Sequence, residues 1–72
     1  MNYKKYITID SKIRFGKPVV VGTRITVYDV LHWLSTGMST EEIIYDYPEL
    51  TSQKINACLA FAAERENRIR VA

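Results

Sequence analysis

The sequence predicts a mainly α fold, a three-helix bundle of helix-turn-helix type (homeodomain-like or winged-helix-like) preceded by a short N-terminal β arm or hairpin. Three observations carry that prediction. A helix-start signal recurs three times after residue 25, each start has an apolar pair in register with it, and short β-branched runs stand ahead of the first start.

The arm comes first. Tyr6 to Ile9 alternates apolar and polar like a strand, and Val19 to Val21 is a β-branched run behind Pro18. Two short strands are marginal alone, so the arm is expected to rest on the helices. The first helix starts at Thr26, whose hydroxyl can cap an exposed amide while Asp29, three residues on, reaches back. Ser39 and Glu42 repeat the pattern for the second helix, and Thr51 supplies a hydroxyl cap for the third. The residue before each cap and the residue four after it form a staple: Ile25 with Val30, Met38 with Ile43, Leu50 with Ile55.

The stops agree. Gly37 follows Val27 to Thr36 as a left-handed terminator, and Pro48 cannot continue a helix running from Glu41 to Tyr47. The third helix, Ser52 to about Arg65, has no sharp stop and is expected to fray into a basic tail. At 100° per residue, Val27, Val30, Leu31 and Leu34 share the inner face of the first helix, flanked by Tyr28 and Trp33, with Asp29 and His32 pointing away. Ile43, Ile44 and Tyr47 face inward from the second and Glu41 and Tyr45 outward. Ile55, Cys58, Leu59 and Ala62 face inward from the third; Gln53, Asn56, Ala57, Ala60 and Glu64 face outward, with Phe61 beside them.

Seventy-two residues make a single domain, divided as arm 1–24, helices 25–66 and tail 67–72. A chain of this size hides only about 60% of its unfolded surface, so a partner chain is a plausible source of further burial. The 47% hydrophobic content argues against disorder, and no apolar run approaches the roughly 18 residues of a membrane span. No apolar signal core follows the basic start, and the lone Cys58 cannot form an internal disulfide, so a cytoplasmic location is expected. The net charge of +2 conceals a split. Residues 1–24 carry six cations against Asp10, a net +5; residues 25–50 carry five acids and no Lys or Arg; residues 51–72 return to +2. A polyanion would be drawn to the ends of the chain and repelled by its middle.

Enzyme and cofactor readings fare poorly. A phosphate loop needs four residues between its glycines and then Lys, but five separate Gly16 from Gly22 and Thr23 follows. His32 and Cys58 are assigned to different helix faces, which leaves neither a metal set nor a nucleophile pair. Glu41, Glu42, Asp46 and Glu49 read as a solvated acidic face, because the adjacent glutamates diverge by about 100°. No catalytic residue, metal or cofactor is assigned.

Two binding surfaces remain. Ser52, Gln53, Lys54 and Asn56 occupy the N-terminal end of the third helix, where a recognition helix meets base edges; the competing reading is an ordinary polar face. If DNA is bound, Arg14, Lys17 and Arg24 would supply phosphate contacts. Arg24 has a second reading, an ion pair with Asp29 or Glu42 that pins the arm to the bundle. Glu41, Tyr45, Glu49 and Phe61 form the candidate protein-binding set, and Val19, Val20 and Val21 offer a strand edge for a homodimer or an internal strand.

The run Gly16-Lys17-Pro18-Val19-Val20-Val21-Gly22-Thr23-Arg24-Ile25, then Val27-Tyr28-Asp29, Gly37-Met38-Ser39, Glu42-Ile43, Asp46-Tyr47-Pro48-Glu49-Leu50-Thr51 and Ala57-Cys58-Leu59-Ala60-Phe61-Ala62, closely resembles the domain-of-unknown-function 433 family. The resemblance covers Ile7 to about Glu66. It implies a small helix-turn-helix protein of VapB-like antitoxin type, which binds and inhibits a PIN-like ribonuclease toxin, represses its own operon through operator DNA, and has no catalytic residues. Gln53-Lys54 stands where the family often has acids, and only about six residues follow Glu66 where many antitoxins carry a long toxin-wrapping tail.

Overall fold

A computed structural model of the chain describes residues 2–70. Its elements run as a 3-10 turn at Tyr3–Lys5, β1 (Ile7–Thr8), a tight turn at Arg14–Gly16, β2 (Val19–Val20), α1 (Val27–Ser35), α2 (Thr40–Asp46) and α3 (Ser52–Arg70). The protein is therefore mainly helical, with three helices and a small two-stranded antiparallel sheet. No helix among the described residues is long and apolar enough to cross a membrane.

The helix starts close as their sequence signals require. The Thr26 hydroxyl accepts from the Asp29 amide at 2.9 Å while the Asp29 carboxylate accepts from the Thr26 amide at 3.1 Å. Ser39 and Glu42 form the same reciprocal box at 3.1 and 2.9 Å. Thr51 accepts from the Lys54 amide at 3.2 Å. Each box satisfies amides that the first helical turn otherwise leaves unpaired. At the other end of α1, Gly37 takes φ +97, the left-handed conformation that stops a helix at little steric cost. The staple residues Ile25, Val30, Ile43, Leu50 and Ile55 are all buried, and Met38 packs against the same cluster.

In the sheet, Ile7 pairs with Val20 and Thr8 with Val19. The other edge of β2 is also occupied: Val19 bridges Thr26, the Val20 amide donates to the Ile25 carbonyl at 2.9 Å, and the Val27 amide donates to the Pro18 carbonyl at 2.9 Å. Val19 and Val20 lie in the core of their own chain, and only Val21, at 44% exposure, reaches solvent. The expected exposed strand edge at Val19–Val21 is thus corrected: β2 has already used both of its hydrogen-bonding edges, so no ladder remains there for a second copy.

Two expectations for α3 are revised. It runs to Arg70, past the anticipated fraying point near Arg65, with Glu64 and Arg68 paired at 2.7 Å one turn apart. The last part of the expected tail, residues 71–72, lies outside the described residues. The buried face of α3 also differs from the expected one. Ala57 is fully buried and Leu59 is 45% exposed, because α3 packs against α1, α2, β1 and the first 3-10 turn, so its buried arc widens toward Phe61 and Tyr3. The Tyr3 and Phe61 rings meet edge-to-face at 5.3 Å. Cys58 lies at the centre of this arc with no exposure, and burial pushes its thiol up to about 11.

Candidate functional site

The connection from α2 to α3, residues 47–51, holds its shape through the buried Leu50 side chain and a Leu50 amide bond to the Tyr47 carbonyl at 2.9 Å. This anchoring presents the first turn of α3 to solvent. Ser52, Gln53 and Asn56 are exposed there, with Ile55, Ala57 and Cys58 buried behind them. Polar hydrogen-bonding side chains at the positive end of a helix suit contact with an anionic ligand that presents hydrogen-bonding edges. Lys54 stands apart: its ammonium donates to the Glu49 carbonyl at 2.8 Å and so is turned onto its own chain.

The arm arginines are arranged otherwise than their sequence positions implied. Arg14, assigned above to phosphate contact, donates to the Arg24 carbonyl at 2.7 Å and lies 3.4 Å from the Asp29 carboxylate. It is Arg14 that pins the arm to α1. Arg24, to which the pinning pair was assigned, contributes only its backbone carbonyl, and its side chain is exposed with no ion pair among the described residues. Asp29, expected to point away, is half-buried and serves both the Thr26 cap and Arg14. The reason is positional: the cap fixes Asp29 at the start of α1, and the turn at Arg14–Gly16 brings Arg14 beside it. Lys17 and Arg24 remain as exposed arm cations.

The four residues of the protein-binding set do not form one surface. Glu41 and Tyr45, the latter 87% exposed, line a shallow pocket of about 310 Å³ with Met38, Glu42 and Asp46. Within it, hydrogen bonds from the backbone and side chain of Ser39 hold the Glu42 carboxyl below the usual range. Glu49 lines a separate cleft of about 680 Å³ beside Arg24, Trp33 and Tyr47. The Trp33 and Tyr47 rings stack there at 4.1 Å, a pairing between α1 and the end of α2 that their sequence separation conceals. Phe61 belongs to a third region, an apolar groove of about 380 Å³ between α1 and α3. His32 is exposed and stacks on Tyr28 at 5.9 Å.

One prominent residue had no role in the sequence reading. Phe15 is 94% exposed and sits at φ +60, between Arg14 at φ +50 and Gly16 at φ +79. The Gly16 signal indicated a turn; nothing in the sequence indicated that two non-glycine residues would share its left-handed conformation.

A curated relative, "Uncharacterized protein y4eO" of Sinorhizobium fredii, is 36% identical over 59 residues. That alignment covers 82% of this chain and 27% of the relative, so the chain spans about a quarter of its length. Among solved structures, a DUF433 member protein from Anabaena variabilis superposes with a TM-score of 0.83 at 23% identity, over 92% of this chain and 65% of that one. It shares the fold. The family model described as "Protein of unknown function (DUF433)" matches residues 7–62, and the chain belongs to that family.

Proposed function

We propose that the protein is the antitoxin component of a bacterial type II toxin-antitoxin pair, a non-enzymatic helix-turn-helix protein that binds its own operator DNA and a PIN-like ribonuclease toxin. The observation that carries the DNA-binding half is the first turn of α3, where Ser52, Gln53 and Asn56 stand exposed on a helix whose opposite side is locked into the core. In this reading α3 enters the major groove, with the amides of Gln53 and Asn56 reading base edges while Lys17 and Arg24 contact phosphates. Arg14 and Lys54 are removed from the DNA-contact set by the bonds they make within the chain.

Fluorescence anisotropy with the protein's own promoter fragment tests this. Binding is expected to weaken steeply with salt, and the Gln53→Ala/Asn56→Ala pair is expected to lose about tenfold or more in affinity at unchanged thermal stability. No binding at low salt removes the DNA half.

A second reading has its own observation: Tyr45 stands nearly free in solvent between Glu41 and Asp46, a surface suited to a basic protein partner. Here the protein is an interaction module that never touches DNA. Glu41→Lys would then abolish capture of that basic partner, with Glu49→Lys, on the separate cleft, much less damaging. Capture unchanged by Glu41→Lys counts against it.

A further inference from the structure

We propose that the cleft between the arm and the α2–α3 connection is a protein-docking site, whose occupant is a peptide segment carrying an apolar side chain between a carboxylate and a cationic group. The inference rests on the toxin-binding half of the reading above, with the ribonuclease as the protein that supplies the segment. Trp, Tyr and Arg dominate the energetics of protein interfaces, and Trp33, Tyr47, Arg14 and Arg24 all line this one cleft of about 680 Å³. Both rings are half-buried, so each keeps part of its surface open to a ligand. The site is also set in advance. The rings lie stacked at 4.1 Å and within 11° of parallel, and Arg14 is held by the Arg24 carbonyl and Asp29. The backbone at Glu49 is tied by the Lys54 ammonium and by the buried Leu50 beside it. Little ordering remains to be done on binding, which leaves more of the contact free energy as affinity.

Charge selects the occupant. Asp29 neutralises Arg14, which leaves Arg24 and Glu49 in the cleft as exposed residues of opposite sign, with no ion pair among the described residues. A polyanion drawn to Arg24 would bring its neighbouring charges toward Glu49, so nucleic acid fits the cleft poorly. A uniformly acidic or uniformly basic protein surface meets the same conflict at one residue or the other. A segment that offers a carboxylate to Arg24 and a cation to Glu49 satisfies both, while its apolar side chain covers the Trp33–Tyr47 stack. The pocket around Tyr45 has no such pairing, because Glu41, Glu42 and Asp46 are its charged lining. The two surfaces therefore differ in the kind of partner they take. Arg24 is also the phosphate contact named above, so protein and DNA draw on one arginine.

Calorimetric titration of the full chain with the PIN-like ribonuclease of the same operon, in the absence of DNA, tests it. Arg24→Glu and Glu49→Arg are each expected to weaken binding at least about tenfold, whereas Glu41→Lys leaves it unchanged. All three residues are exposed, so circular dichroism should show the same fold in each variant. Trp33 is the single tryptophan of the chain, so fluorotryptophan labelling gives one fluorine resonance inside the cleft, expected to shift on binding. Ribonuclease binding that ignores either charge reversal, or leaves that resonance unmoved, overturns the docking site while the toxin reading stands. A resonance that moves with operator DNA or with protein concentration alone, and not with the ribonuclease, assigns the cleft to DNA or to a second copy and overturns it too. No binding by wild type removes the site together with the toxin half.

Discussion

From Thr26 onward each helix start is closed by a side chain three residues away, whereas the Arg14 side chain at the tight turn of the arm reaches groups ten and fifteen residues along the chain. The helix starts have local instructions, and the arm adds tertiary ones to its local turns. The arm is nevertheless not an appendage, because Val19 and Val20 are as deeply buried as the helix staples. The two regions differ in what specifies their conformation more than in how well they are packed.

The largest test addresses the shared core. Ile55→Ala removes a fully buried side chain from the start of α3 and is expected to cost about 2–5 kcal/mol by urea denaturation, near the whole stability of a domain this small. A much smaller loss would mean that α3 is less committed to the core than its burial indicates.

Next come the caps. Thr26→Ala and Ser39→Ala are each expected to cost about 0.5–2 kcal/mol in the same measurement. The second box also has a pH signature. The Glu42 carboxyl is lowered in the fold from 4.5, so its contribution is present above that value and is lost as pH falls through the folded one. Glu42→Gln should flatten stability against pH across that acid window, and an unchanged slope would show that the box adds nothing in solution.

The smallest effect has the opposite sign. Phe15→Gly is expected to raise stability by up to about 1 kcal/mol, since relief of the left-handed strain outweighs the added chain entropy. A loss would show that the exposed ring supports its own chain, and the contrast between a locally specified bundle and a strained arm would weaken.

The same contrast decides what was legible in the sequence. Thr26, Ser39 and Thr51 could be read because a cap and its partner lie within one turn. The inner face of α3 was misplaced by roughly 60° at 100° per residue, since Ala57 and Phe61 are drawn in by Tyr3 and α1, which no helical period encodes. Arg14 was exchanged with Arg24 because charge alone does not say which arginine the turn delivers to Asp29. For the candidate site, the exposed run Ser52, Gln53 and Asn56 followed from periodicity. The grouping of Glu49 and Phe61 with Tyr45 did not, since they lie on separate surfaces.

Cys58 turns these contrasts into something that can be timed. It is the single cysteine of the chain, sealed in the core, and burial raises its thiol from 9.0 to about 11. Only the thiolate attacks an alkylating reagent, so at neutral pH a closed molecule is silent for two reasons, access and protonation. Each labelling event therefore records one opening of the bundle around α3. With reclosure fast, the labelling rate gives the fraction of time the fold stands open, and the chain carries its own stopwatch without an added probe.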